Sequence, residues 1–212
     1  MRQAWFCESM SAGTLHTRPV YGLGAFIPMG SVSADLLKWV SGGWKDYALV
    51  LSGKGGFGKT EFACALAHLV APAKTFHFVN RIDRVRDLVF APGEALVVDE
   101  ACLATRDIDD AKALVNVKKT CDVMCRNRDG VIPAGTPRIF STNWKWDRFW
   151  PREASDEQHA VAIRRRVLWV PVKGDLRRRP YDVAQPTLPE IEPLSAPGSV
   201  DDDPMGFGFD MD

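Results

Sequence analysis

Between a short apolar run at 47–51 and a helix-patterned segment at 61–71 lies Gly53-Lys54-Gly55-Gly56-Phe57-Gly58-Lys59-Thr60. It fits G-x-x-x-x-G-K-[ST], and that pattern constrains the chain more than any other feature. The glycines let the backbone wrap closely around an anion. The loop then presents N–H groups at a helix N-terminus, where the dipole is positive. Lys59 is expected to reach the β and γ phosphates of a nucleoside triphosphate such as ATP, and Thr60 to hold Mg2+. Strands that alternate with helices argue for an α/β fold with a mostly parallel sheet covered on both faces.

Strand-like runs at 76–79, 95–98, 138–142 and 168–172 supply the rest of that sheet. Ser33 is placed to cap a short helix through Val40, with Gly42-Gly43 as its stop. Helical patterns are expected near 82–90, over 108–118 and up to Arg166, and a hairpin over 120–131. Residues 1–30 are rich in Gly, Ser and Pro and read as an irregular arm. The domain proper is expected over 31–180, followed by a disordered acidic tail at 181–212.

Two further strands end in chemistry. Ala95-Leu96-Val97-Val98 runs into Asp99-Glu100, about forty residues after the loop. Asp99 is suited to the magnesium shell, and Glu100 to orienting or deprotonating an attacking water. Arg138-Ile139-Phe140-Ser141-Thr142 ends on Asn143, an amide able to stand between a γ phosphate and that water.

Formal net charge is zero, which disfavours a protein held to nucleic acid by bulk charge alone. The charges are segregated, however. Lys118, Lys119, Arg126 and Arg128 form one basic group, Arg164-Arg165-Arg166 a second and Arg177-Arg178-Arg179 a third, while acids crowd the tail. No stretch approaches the ~18 apolar residues of a membrane span, and the start lacks a basic segment followed by an apolar run. The cysteines form no paired framework, so a reducing interior is expected: cytoplasm, or the nucleus of a eukaryotic host. Cys121 and Cys125 have no second Cys or His pair for a metal site. Trp144, Trp146, Phe149 and Trp150 are expected in the core rather than stacked on bases.

Together the loop, Val97-Val98-Asp99-Glu100, Ile139-Phe140-Ser141-Thr142-Asn143 and their compact spacing resemble the superfamily 3 helicase domain of replication initiators of small circular single-stranded DNA viruses. The resemblance covers roughly 31–172, and Ala162-Ile163-Arg164-Arg165-Arg166-Val167 looks like the family segment with the arginine finger. It implies an AAA+-like three-layer fold with five parallel strands, and a homo-oligomeric ring, commonly a hexamer. Adjacent subunits would share each nucleotide, with Arg165 or Arg166 reaching a neighbour's γ phosphate. It also implies a pore hairpin, here carrying Lys118, Lys119, Arg126 and Arg128, that follows the backbone of single-stranded DNA or RNA. These initiators usually begin with a nicking domain bearing a His-hydrophobic-His motif. This chain has about forty-five residues before its first core strand and no such pair, so a stand-alone motor or a fragment is expected.

The loop from Lys54 to Thr60 also looks like the variant loop of MinD/ParA-type partition ATPases, in which a lysine at the Lys54 position crosses a dimer interface. Ser52 and the helix at 63–71 add to that likeness, which implies a nucleotide-switched dimer. Those proteins place their magnesium acids much further from the loop. A nucleotide-binding adaptor without turnover, acting on a protein partner through its acidic tail, is the third reading.

Overall fold

The computed structural model describes residues 4–11, 14–125 and 128–178. In chain order the elements are β1 (Ala4–Ser11), β2 (Thr14–Tyr21), α1 (Met29–Val32), α2 (Ala34–Val40), β3 (Ala48–Gly53), α3 (Lys59–Val70), β4 (Phe76–Val79) and β5 (Ala95–Val98). They continue with α4 (Ile108–Leu114), β6 (Cys121–Val123), β7 (Gly130–Ile132), β8 (Arg138–Thr142), α5 (Trp146–Phe149), α6 (Glu157–Arg164) and β9 (Val167–Val172). The core is a five-stranded sheet of order β4-β5-β8-β3-β9, parallel at every pairing. The expected α/β class and AAA+-like three-layer arrangement are therefore present.

The central strands are buried on both faces, and their alternation divides the apolar residues between two cores. Leu49, Leu51, Ala95, Val97 and Ile139 pack with α2 and α3 on one side. Val50, Leu96, Val98 and Phe140 pack with α4, α6 and the β6–β7 hairpin on the other. Helix α3 is alanine-rich where it meets the sheet, so its backbone sits close, with Phe62 and Leu66 fully buried.

Helices α2, α4 and α6 each start on a side-chain cap. Ser33, Asp107 and Asp156 accept from the N–H of Asp35, Asp109 and Gln158. Helix α3 has no such cap and starts directly after Gly58.

Several boundaries differ from the sequence expectation. Within the arm expected to be irregular, β1 and β2 pair antiparallel from Ala4↔Tyr21 to Ser11↔Thr14. Ladder hydrogen bonds supply there what the Gly, Ser and Pro composition conceals. The helix expected near 82–90 is only a 3-10 segment, Ile82–Asp87. Helix α4 stops at Leu114 instead of reaching Lys118, because a buried arginine takes its last carbonyls.

That arginine is Arg138, fully buried at the start of β8. Its Nη1 donates to Ala113 O at 3.0 Å and Leu114 O at 2.9 Å, and its Nη2 to Lys119 O at 3.0 Å. The cation meets the negative end of the α4 dipole and ties it to the turn entering the hairpin. Burial pushes its guanidinium down to about 10. Gly130 lets the hairpin lie against the 3-10 segment, since a Cβ there would stand 2.6 Å from Arg86 N. Residues 179–212, and with them the expected tail, lie outside the described residues.

Candidate functional site

At the carboxyl end of β3 the chain turns through Gly56 (φ +83°) and Gly58 (φ +73°), left-handed conformations that glycine adopts without Cβ strain. Helix α3 then begins at Lys59 with its first N–H groups uncapped by any side chain, which is the state a phosphate oxygen can use. Lys59 is buried, an unusual place for an ammonium. Its Nζ donates to Lys54 O and to Asn143 Oδ1, each at 2.9 Å. Because a lysine only donates, Asn143 must present its oxygen here, leaving its amide N–H groups as free donors.

Asp99 at the end of β5 is held from two other elements. Thr60 Oγ1 donates to its Oδ1 at 2.7 Å, and Ser141 Oγ donates to the same oxygen. Beyond the sheet the strand ends remain tied. Ala101 N donates to Ser141 O at 2.8 Å, and Thr142 Oγ1 to Ala101 O at 2.7 Å. Ser52 Oγ donates to Trp144 O at 2.7 Å, fastening the phosphate-loop strand to the chain after Asn143. Since β8 lies between β3 and β5, Asn143 stands between loop and acids.

A cleft of about 180 Å3 opens where these groups converge. Lys59, Thr60, Asp99, Glu100, Asn143 and Arg177 all line it. Thr60 Oγ1 and the Asp99 carboxylate are hard oxygen donors beside a phosphate cradle, a set that fits Mg2+. Glu100 is exposed and has φ +48°, the left-handed region that costs a non-glycine residue about 1 kcal/mol or more.

Burial is the largest influence on Lys59 and holds its ammonium below the usual 10.5, against the pull of Asp99, Glu100 and Glu61. A bound polyphosphate adds negative charge and draws the proton back. Nucleotide affinity is therefore expected to be highest where Lys59 is already protonated, and to fall as pH rises through its lowered value, below 10.5. Calorimetric titration with ADP in two alkaline buffers of different ionisation enthalpy measures the linkage. Proton uptake is the expected result, and binding without it contradicts this account.

The remaining loop residues are distributed around the cradle. Gly53 closes β3 opposite Val172, Lys54 and Gly55 are exposed, and Phe57 packs partly against the α3-side core. Two site residues had no clear sequence signal. Ser141 was legible only as a strand residue, and Arg177 only as part of a basic run.

Arg165 and Arg166 are not in the cleft. They precede β9, whose Val167 is level with Ala48, whereas the loop leaves the sheet at Gly53 opposite Val172. Five strand residues at about 3.3 Å each put them roughly 16 Å away. Arg165 is exposed, and its side chain makes no hydrogen bond or ion pair among the described residues. Arg166 donates to Ala162 O of the preceding helix α6. Arg164 lies 5.9 Å from the Trp146 ring centre.

The expected basic hairpin is not gathered either. Lys118 pairs with Asp46 at 2.7 Å, beside the start of β3. Lys119 is exposed in the turn before β6, and Arg128 donates to Arg86 O. Arg126 lies outside the described residues. Phe149 and Trp150 are core, Trp146 partly so, and Trp144 is 45% exposed. Burial raises the Cys121 and Cys125 thiols, and no cluster of metal-ligating side chains occurs among the described residues. No helix among them is long and apolar enough to cross a membrane.

No family model and no curated protein matches the chain. Among solved structures, it is similar to NtrX from Brucella abortus, crystallised in complex with ADP, at 13% identity and a TM-score of 0.39. That match covers 66% of this chain and 36% of NtrX, so the chain spans about a third of its length.

Proposed function

We propose that this chain is a Mg2+-dependent ATPase of superfamily 3 type that moves along single-stranded DNA as a ring of identical subunits. The observation that carries the reading is one cleft receiving Lys59 and Thr60 from the loop, Asp99 and Glu100 from β5, and Asn143 from β8. Thr60 Oγ1 and the Asp99 carboxylate would hold Mg2+, which would supply neutralisation of the charge that develops on the phosphates.

The chain's own residues do the rest. The uncapped N–H groups of α3 and its loop hold the phosphates. Lys59 exchanges Lys54 O or Asn143 Oδ1 for a phosphate oxygen. Ser141 holds Asp99 from behind while Thr60 links it to the loop. Glu100 takes the proton of the attacking water, and the Asn143 amide donates to the γ phosphate. These groups stabilise charge mainly by being fixed in advance.

The position of Arg165 supports a ring. An exposed, unpaired guanidinium at the far end of the sheet cannot serve its own cleft, but in head-to-tail assembly it meets the next subunit's. DNA contact is assigned to the outer end of the β6–β7 hairpin, where Met124 and Arg128 are exposed.

A second reading, the partition-type dimer, draws on Lys54, which is exposed as a residue crossing to a partner nucleotide must be. Measuring ATP turnover of the wild type and Lys54→Ala, with and without single-stranded DNA, separates the two. The motor reading expects stimulation by DNA and less than about tenfold loss on Lys54→Ala, roughly 1.4 kcal/mol of transition-state stabilisation. Loss of several hundredfold with no response to DNA would replace it by the dimer.

A further inference from the structure

Arg177 lines the same cleft as the residues of the proposed hydrolysis, yet nothing in that account uses it. Its backbone is fixed. Leu176 N donates to Phe57 O at 2.9 Å, Ile27 N to Leu176 O at 2.8 Å and Arg178 N to Ala25 O at 2.8 Å. The chain leaving β9 is thus laced on one side to the phosphate loop and on the other to the segment before α1.

The side chain has a built seat. Its stem occupies the space that a Cβ on Gly58 would need, 3.1 Å from the Arg177 Cγ. Gly58 is favoured by its φ of +73°, and the absence of a Cβ there also leaves room for this stem. The guanidinium is gripped along one edge by Asp175, with Nε to Oδ1 at 2.9 Å and Nη2 to Oδ2 at 3.1 Å. Nη2 also donates to Gly56 O at 2.5 Å, at the crown of the loop. This is an arginine held in readiness: backbone fixed, head still 55% exposed in side-chain terms, and standing on the phosphate cradle.

Its position selects a part of the nucleotide. Asn143 approaches the loop at Gly55 and Lys59, where the proposed function puts the γ phosphate. Arg177 approaches at Gly56 and Gly58 instead. We infer that Arg177 is a second cation of the nucleotide site, acting in its own subunit on the α and β phosphates, with Asp175 as the partner it leaves on binding. This rests on the nucleotide reading above. It gives the chain a diphosphate clamp that needs no neighbour, distinct from the arginine a neighbour brings to the γ phosphate. Guanidinium suits the role because its planar fork accepts two phosphate oxygens at once.

The test is direct binding of fluorescently labelled ADP and of a non-hydrolysable ATP analogue, with Mg2+, to the full chain. Arg177→Met is expected to weaken both on the order of tenfold or more, leaving their ratio within about twofold. Arg177→Lys should recover part of the loss. Asp175→Asn should tighten both, and do so only while Arg177 is present, a non-additivity that a merely structural role would not produce. Circular dichroism melts without nucleotide identify any variant that fails to fold, in which case the Lys and Asn variants decide. If the wild type binds ADP and Arg177→Met binds it equally, this inference falls while the nucleotide site stands. A loss confined to the triphosphate analogue overturns the assignment to α and β. A wild type that binds neither nucleotide, as expected only of Lys59→Ala, removes both readings.

Discussion

Glu100→Gln is expected to slow ATP turnover by about 10²- to 10⁴-fold while leaving nucleotide affinity within a few fold. The amide keeps the size of the carboxylate and its place at the cleft wall, but it cannot take a proton from water. Asp99, one residue earlier, is engaged by Thr60 and Ser141 and is the residue proposed to hold the metal. Glu100 is exposed at the cleft instead. Its backbone makes a second, opposite prediction possible. At φ +48° a residue with a Cβ is strained, and glycine is not.

Glu100→Gly should therefore be as stable as the wild type, or more stable by up to about 1 kcal/mol, and yet be inactive. Phosphate release under single-turnover conditions, with urea denaturation of the same variants, measures both effects. Retained turnover in Glu100→Gln would mean that another group activates the water.

Arg165→Ala is expected to lower turnover by about 10³-fold or more, the range an arginine finger supplies. Arg166→Ala should cost much less, because that guanidinium is spent on Ala162 O of the preceding helix α6. The sharper form of the prediction is complementation. Lys59→Ala subunits have a dead cleft and an intact Arg165, and Arg165→Ala subunits have the reverse. Mixed in one ring, the first lends its arginine to the second, so activity returns although each alone is inactive. An arginine acting in its own subunit gives no recovery. So does one that merely solvates a helix end, and then the single substitution is mild as well.

The parts of this protein written in local pattern were legible, and those that depend on distant partners were not. Ala95–Val98 and Arg138–Thr142 could be read to the residue, because a strand buried on both faces shows as a short run with apolar residues inside it and polar chemistry at its end. Arg138 starts one such run as a charge, and the sequence offers no hint that it stays buried on carbonyls of α4 and the hairpin turn. The phosphate loop was equally local.

Arg177 was not legible, since its place at Gly56 depends on how the chain after β9 folds back across the loop, 121 residues away. Lys118 was misplaced for the same kind of reason. It is close in sequence to the hairpin, but its ion pair is with Asp46, just before β3. The hairpin of β1 and β2 escaped notice because its stability lies in pairing, which composition does not report.

In the proposed function the nucleotide site is shared, completed when one subunit meets the next. The most direct test is ATP turnover per subunit as a function of protein concentration, with light-scattering mass on the same samples, with and without single-stranded DNA. Turnover per subunit is expected to rise as the mass grows to about six subunits, and to rise again with DNA. Turnover per subunit that stays constant from monomer to highest concentration would contradict it, for the cleft would then be complete within one chain.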